Sequence, residues 1–161
     1  MQQTASSYTI RQASDDDLLA IVRLHHDRSG VGPPPDHPSE RQDSTWNRML
    51  ATGALTVYVA ELGDEIVGYT CVTVVPNLIN DCRSTAFIEP VLVAAAHRRH
   101  GVGRLLLTRL LEEARSTGCY KIQLLSHKRH ADDGAHAFYH SLGFAPEAEG
   151  FRLYFEPTHD Q

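Results

Sequence analysis

An apolar run from Phe87 to Val93 leads through Arg98-Arg99-His100-Gly101-Val102-Gly103-Arg104 into the leucine-rich segment Leu105 to Ala114. This order reads as strand, glycine turn and helix, and a strand feeding a helix in this way asks for a second strand after a crossover. The turn is also an anion cradle. Its glycines let the backbone come close to a phosphate, and the first amides of a helix lack partners and carry the positive end of the helix dipole. The same two glycines also suit a plain tight turn, so the spacing alone leaves both readings open.

The remainder of the chain narrows the architecture. At 161 residues and 42% hydrophobic content, the length suits a single domain, 1–161, with a sizeable core. A formal charge of −5 argues against nucleic acid or an anionic membrane as partner. Cys71, Cys82 and Cys119 form no CxxC pair, so they read as free thiols rather than as a disulfide framework or a zinc site. The polar start and the lack of a long apolar run point to a soluble, cytoplasmic protein.

Tyr8 to Arg11 alternates as a short strand, and Ser14 with Asp17 makes a capping-box start for a helix over Asp15 to His26. Ser29 to Ser39, rich in proline and glycine, is an exposed loop, and a second helix follows over Glu40 to Ala51. Leu55 to Glu61 and Ile66 to Val75 read as a hairpin. Beyond the leucine-rich helix come a strand at Tyr120 to Leu125, a short helix over Gly134 to Leu142 and a last strand at Phe151 to Phe155. The expected fold is α/β, an α+β mixed sheet with helices on both faces.

The cradle does not fit two common nucleotide sites. A dinucleotide fold would want a third glycine where Leu106 stands and an acid in the strand that follows. A Walker loop would want a lysine and a hydroxyl where Arg104-Leu105 stand. The segment Ile88 to Phe144 instead resembles the GNAT superfamily of acetyl-CoA-dependent N-acetyltransferases. The motifs that carry the resemblance are Arg98-x-x-Gly101-x-Gly103 after a strand ending in valine, a strand about two dozen residues on, and the ending Ala135-x-x-Phe138-Tyr139-x-x-x-Gly143-Phe144. Gly118-Cys119-Tyr120-Lys121 is similar to a stretch of glucosamine-6-phosphate acetyltransferases, and Lys128-Arg129-His130 to small-amine and aminophosphonate acetyltransferases.

The resemblance implies a mostly antiparallel twisted sheet with one parallel, splayed strand pair. It implies acetyl-CoA as co-substrate, its pyrophosphate held by the backbone of Arg99, His100, Gly101, Val102, Gly103 and Arg104, with Arg98 and Arg104 adding charge. Val91, Leu92 and Val93 match the strand that pairs with pantetheine, and an amide near Leu92 or Val93 would face the developing oxyanion. Asp132 stands about where many members carry an asparagine that contacts the cofactor.

Acetyl transfer needs a neutral amine and a proton for the departing thiolate. Tyr139 matches the family's proton-donating tyrosine, and a phenol titrating near ~10 keeps its proton at neutral pH. Glu89 matches an acid that faces the acceptor amine in several members, directly or through water; a salt-bridged strand residue is its other reading. Pro90 lacks an amide donor, so a bulge is expected beside Glu89. His136 and His140 lie four apart but find no third ligand, so no metal is expected. His25, His26 and His37 are candidate acceptor contacts near the proline-rich loop. The expected activity is direct acetyl transfer to a primary amine, with a homodimer as the family's common form. A non-catalytic acyl-CoA-binding or sensor domain is the alternative.

Overall fold

A computed structural model describes residues 7–128 and 134–155, and the chain divides into two compact units, 1–122 and 123–161. The larger unit is built on strands β1 (Thr9–Gln12), β2 (Leu55–Leu62), β3 (Glu65–Val75) and β4 (Thr85–Val93). With β5 (Lys121–Leu124) they form one mixed sheet in the order β1-β2-β3-β4-β5, antiparallel from β1 to β4 and parallel between β4 and β5. Helices α1 (Leu18–Ser29), α2 (Glu40–Ala51) and α3 (Val102–Ser116) cover it.

Side-chain alternation divides the sheet into two faces. One face carries Val57, Val59, Tyr69, Cys71 and Leu92, and these pack on Leu18, Ile21 and Leu24 of α1 and on Trp46 of α2. The other receives α3 through Val102, Leu106, Leu107 and Leu110, each at most 1% exposed. The leucine spacing read in the sequence therefore marks the buried stripe of α3. Gly68 sets how close α3 comes. A Cβ there would lie 2.9 Å from the Leu92 carbonyl oxygen and 3.4 Å from both Leu106 and Val102.

The capping box of Ser14 and Asp17 is present, although the residues between Asp15 and Asp17 make a 3₁₀ turn and α1 proper begins at Leu18. Asp17 is buried, and Arg11 grips it with two bonds of 2.7 and 2.8 Å while its Nε donates to Glu61 at 2.8 Å. One guanidinium thus ties β1 to the start of α1 and to β2. The Arg11 hydrogen bonds hold the Asp17 carboxyl below its usual pKa. On the α3 face the Tyr58 hydroxyl donates to Glu113, and Arg109 sits over the Tyr58 ring at 5.1 Å. Burial and then the Glu113 contact push the phenol up to about 12.

The smaller unit holds helix α4 (Ala135–His140), entered through Gly134 at φ 90. The expected strand at Phe151 to Phe155 does not form: these residues carry no ladder, and Phe151, Leu153 and Phe155 are 90%, 80% and 93% exposed. Period-two alternation marks which side chains a strand would bury, whereas the ladder itself depends on a neighbouring edge.

Candidate active site

The cradle follows directly from β4. After Val93 a short turn over Ala95–His97 brings the chain to Arg99 at φ 62 and Gly101 at φ 87, both left-handed. Arg99 holds a conformation that L side chains disfavour by ~1–2 kcal/mol, a cost tolerated where the surroundings demand it. Gly101 caps α3, and the first amide to close a helical turn is that of Leu105, on the Gly101 carbonyl at 3.0 Å. The amides of Val102 and Gly103 therefore precede the helical ladder, at the positive end of a helix of 15 residues. Arg98, Arg99, His100 and Arg104 are exposed around them.

Two side-chain ties hold this loop that the sequence did not announce. Arg98 Nε donates to the Val93 carbonyl at 3.1 Å, and the Tyr8 hydroxyl meets His97 Nδ1 at 3.1 Å. Tyr8 lies 89 residues before His97, so no local pattern reveals that pair.

The register of β4 decides which backbone groups are presented. The Ala94 amide bonds the Val67 carbonyl at 2.8 Å, so Ala94 and, by alternation, Leu92 turn their polar groups toward β3. Val91 and Val93 turn theirs the other way, and the Val93 carbonyl is the one that Arg98 reaches. On that side β5 starts level with the beginning of β4, where the Tyr120 amide bonds the Ser84 carbonyl at 2.8 Å, but it has four residues to the nine of β4. The expected bulge is present beside it. Thr70 pairs with Val91 and Val72 with Ile88, so Glu89 and Pro90 together oppose Cys71. Ile88 shares the α3 face with Val72 and Leu92 the opposite face, so the bulge places both Glu89 and Pro90 on the face of α1 and α2. Glu89 is exposed there.

In the smaller unit Tyr139 lies on α4, half-buried, with its ring 5.4 Å from Phe138 and 6.1 Å from Phe144. The Phe144 amide donates to the Tyr139 carbonyl at 3.1 Å, and Gly143 at φ 90 makes that return possible. The motif is thus a folded aromatic unit. His140 Nδ1 meets the Phe144 carbonyl at 3.1 Å, and among the described residues no three His, Cys, Asp or Glu side chains gather as a metal site. Asp132, Arg129 and His130 lie outside the described residues.

A cleft of about 450 Å³ opens between α1 and α2, over Tyr69. Of the three histidines near the proline-rich loop, His25 alone lines it, with its Nε2 against the Tyr69 hydroxyl. His26 Nε2 is spent on the Val31 carbonyl at 2.8 Å, and His37 Nδ1 meets the Pro38 carbonyl at 3.2 Å. Burial, with the charge of Arg28, lowers the His25 pKa, and burial raises that of Tyr69. Cys71, next to Tyr69 on the same face, is pushed up to about 12 by burial, which leaves almost no thiolate at neutral pH.

A mixed sheet whose fourth strand leads through a glycine cradle into a helix defines the class: it is the architecture of the GNAT acetyltransferases. The Acetyltransferase (GNAT) family matches residues 18–144, and the chain belongs to that family. A glucosamine 6-phosphate N-acetyltransferase of Trypanosoma brucei brucei is 34% identical over 89 residues, 55% of this chain and 57% of that protein. Glucosamine 6-phosphate N-acetyltransferase 1 of Oryza sativa subsp. japonica is 30% identical over 128 residues, 78% of this chain and 74% of that protein. A crystal structure of a transcriptional regulator from Bacillus halodurans C-125 superposes with a TM-score of 0.84 at 30% identity, covering 92% of this chain and 100% of the other.

Proposed function

We propose that this chain moves an acetyl group from acetyl-CoA directly to a primary amine of a small molecule. The observation that carries the reading is the continuity of β4 with the cradle: Val91 and Val93 turn their backbone away from β3, and a few residues later the α3 amides precede their ladder beside Arg98, Arg99 and Arg104. This is a strip of hydrogen-bonding backbone that ends in a positively charged anion site, which suits pantetheine followed by pyrophosphate. When bound, acetyl-CoA supplies an activated acetyl thioester. The Val93 amide, rather than that of Leu92, has the direction needed to face charge developing on the acetyl oxygen.

Glu89, exposed on the bulge, is the candidate base for the incoming ammonium, directly or through a water. Tyr139 is assigned the proton for the departing thiolate on the strength of the aromatic motif it belongs to. A covalent route through Cys71 is disfavoured by its raised pKa. Purified protein mixed with acetyl-CoA and an amine panel should release thiol with at least one amine. The panel includes glucosamine 6-phosphate because two relatives are named for it.

A second reading, a non-catalytic acyl-CoA sensor, gains support from the regulator that shares the fold. Saturable acetyl-CoA binding without thiol release on any amine would select it.

A further inference from the structure

The cleft between α1 and α2 is not used by the roles above. Leu18, Ile21 and Val22 of α1 and Trp46 and Met49 of α2 form its walls, over Tyr69. Its volume of about 450 Å³ and its apolar and aromatic walls with few polar groups are those of a small-ligand pocket. The polar groups that line it hold a single fixed charge and no carboxylate. Arg41 carries the one fixed positive charge among them. The start of α2 is already closed by its own capping box, in which the Gln42 amide donates to Ser39 Oγ at 3.3 Å and the Ser39 amide to Gln42 Oε1 at 2.8 Å.

The position of the cleft fits an acceptor. Tyr69 pairs with Leu92, and the next residue on the same face of β3, Cys71, opposes the bulge that carries Glu89. Cleft and Glu89 therefore share one sheet face, one strand apart. His25, bonded to the Tyr69 hydroxyl, closes the polar end of the cleft without adding a second guanidinium or ammonium.

We infer that this cleft holds the apolar body of the amine acceptor and selects arylalkyl amines over hydroxylated or phosphorylated ones. The inference rests on the acetyltransferase reading for the word acceptor, while occupancy of the cleft is measurable without acetyl-CoA. Trp46 is the single tryptophan of the chain and lines the cleft, so its emission reports on occupancy.

The test titrates the full chain with 2-phenylethylamine, ethanolamine and glucosamine 6-phosphate, followed by thiol-release kinetics on the same amines. The expected result is a saturable change in Trp46 emission with 2-phenylethylamine alone, and a kcat/KM for it at least about tenfold above that for ethanolamine. Val22→Phe and Met49→Phe, which fill the cleft from opposite walls, should each abolish the emission change while a thermal melt confirms that they fold. The wild-type titration decides the matter even if neither variant folds. No saturable change with 2-phenylethylamine, or an equal change in folded variants, overturns the assignment. Acetylation of glucosamine 6-phosphate with no response to 2-phenylethylamine overturns the cleft and leaves the acetyltransferase reading standing. Trp46 binding without thiol release on any amine supports the cleft as a site for arylalkyl amines and overturns the enzyme.

Discussion

At the scale of single residues, the direction of one peptide group separates Leu92 from Val93. Both stand in the same apolar run, and the run alone does not say which amide turns away from β3; the bond from Ala94 to Val67 does. The aromatic packing around Tyr139 was legible in the sequence because the motif is local, with Phe138, Gly143 and Phe144 all within a few residues. The His25–Tyr69 pair was not, since the two residues are 44 apart and meet only through the packing of α1 on β3. Tyr139→Phe should lower kcat by about a hundredfold and leave acetyl-CoA affinity nearly intact. Isothermal titration beside thiol-release kinetics checks both, and unchanged kcat would remove Tyr139 from the mechanism. Asp17 makes a stability prediction. Its carboxyl titrates below the ordinary value of 3.8 in the folded chain, so its contribution is complete above that value and is lost as the pH falls through the folded pKa. Asp17→Asn should therefore cost about 1–3 kcal/mol at pH 7. Its denaturation midpoint should also converge on the wild-type value as the pH falls through the lowered pKa of the folded Asp17.

At the scale of elements, the strand–turn–helix unit was legible because each part has its own chemistry: β-branched residues, a glycine turn in which Gly101 has positive φ, then leucines at helical spacing. The bulge beside Glu89 was legible for a similar reason, since a proline without an amide cannot sustain the ladder. The last strand was not, because a strand is completed by its neighbour. Two substitutions examine the joint between β4 and α3. Gly103→Glu places a carboxylate in the first turn of α3 and should weaken acetyl-CoA binding by at least about a hundredfold, on the order of 2.7 kcal/mol, with the melting transition preserved. Affinity equal to wild type would put the pyrophosphate elsewhere. Gly68→Ala brings a Cβ to 2.9 Å from the Leu92 carbonyl, and the β3–β4 backbone must shift to admit it. A loss of about 1–3 kcal/mol is expected by denaturant titration.

At the scale of the whole molecule, the charge of −5 coexists with a cluster of arginines at the cradle. The overall field favours a cation, while the local arginine cluster favours an anion. For a monocationic acceptor, kcat/KM should fall by a factor of about three between low salt and ~0.5 M, as the Debye length shortens below ~5 Å. A flat salt profile would show that the acceptor is not drawn in by long-range attraction.

The sequence by itself determined the order of elements around the cradle, the buried stripe of α3, the capping box at Ser14 and the break in pairing at Pro90, because each is written in residues close together along the chain. The tertiary structure alone decided which side of β4 presents its backbone, that Glu89 shares a face with the cleft, that His25 and not His26 or His37 lines that cleft, and that Arg11 binds Asp17 and Glu61 together. These depend on register and packing between segments tens of residues apart. Many alternative registers satisfy the same apolar pattern, and only the assembled sheet with its helices singles one out.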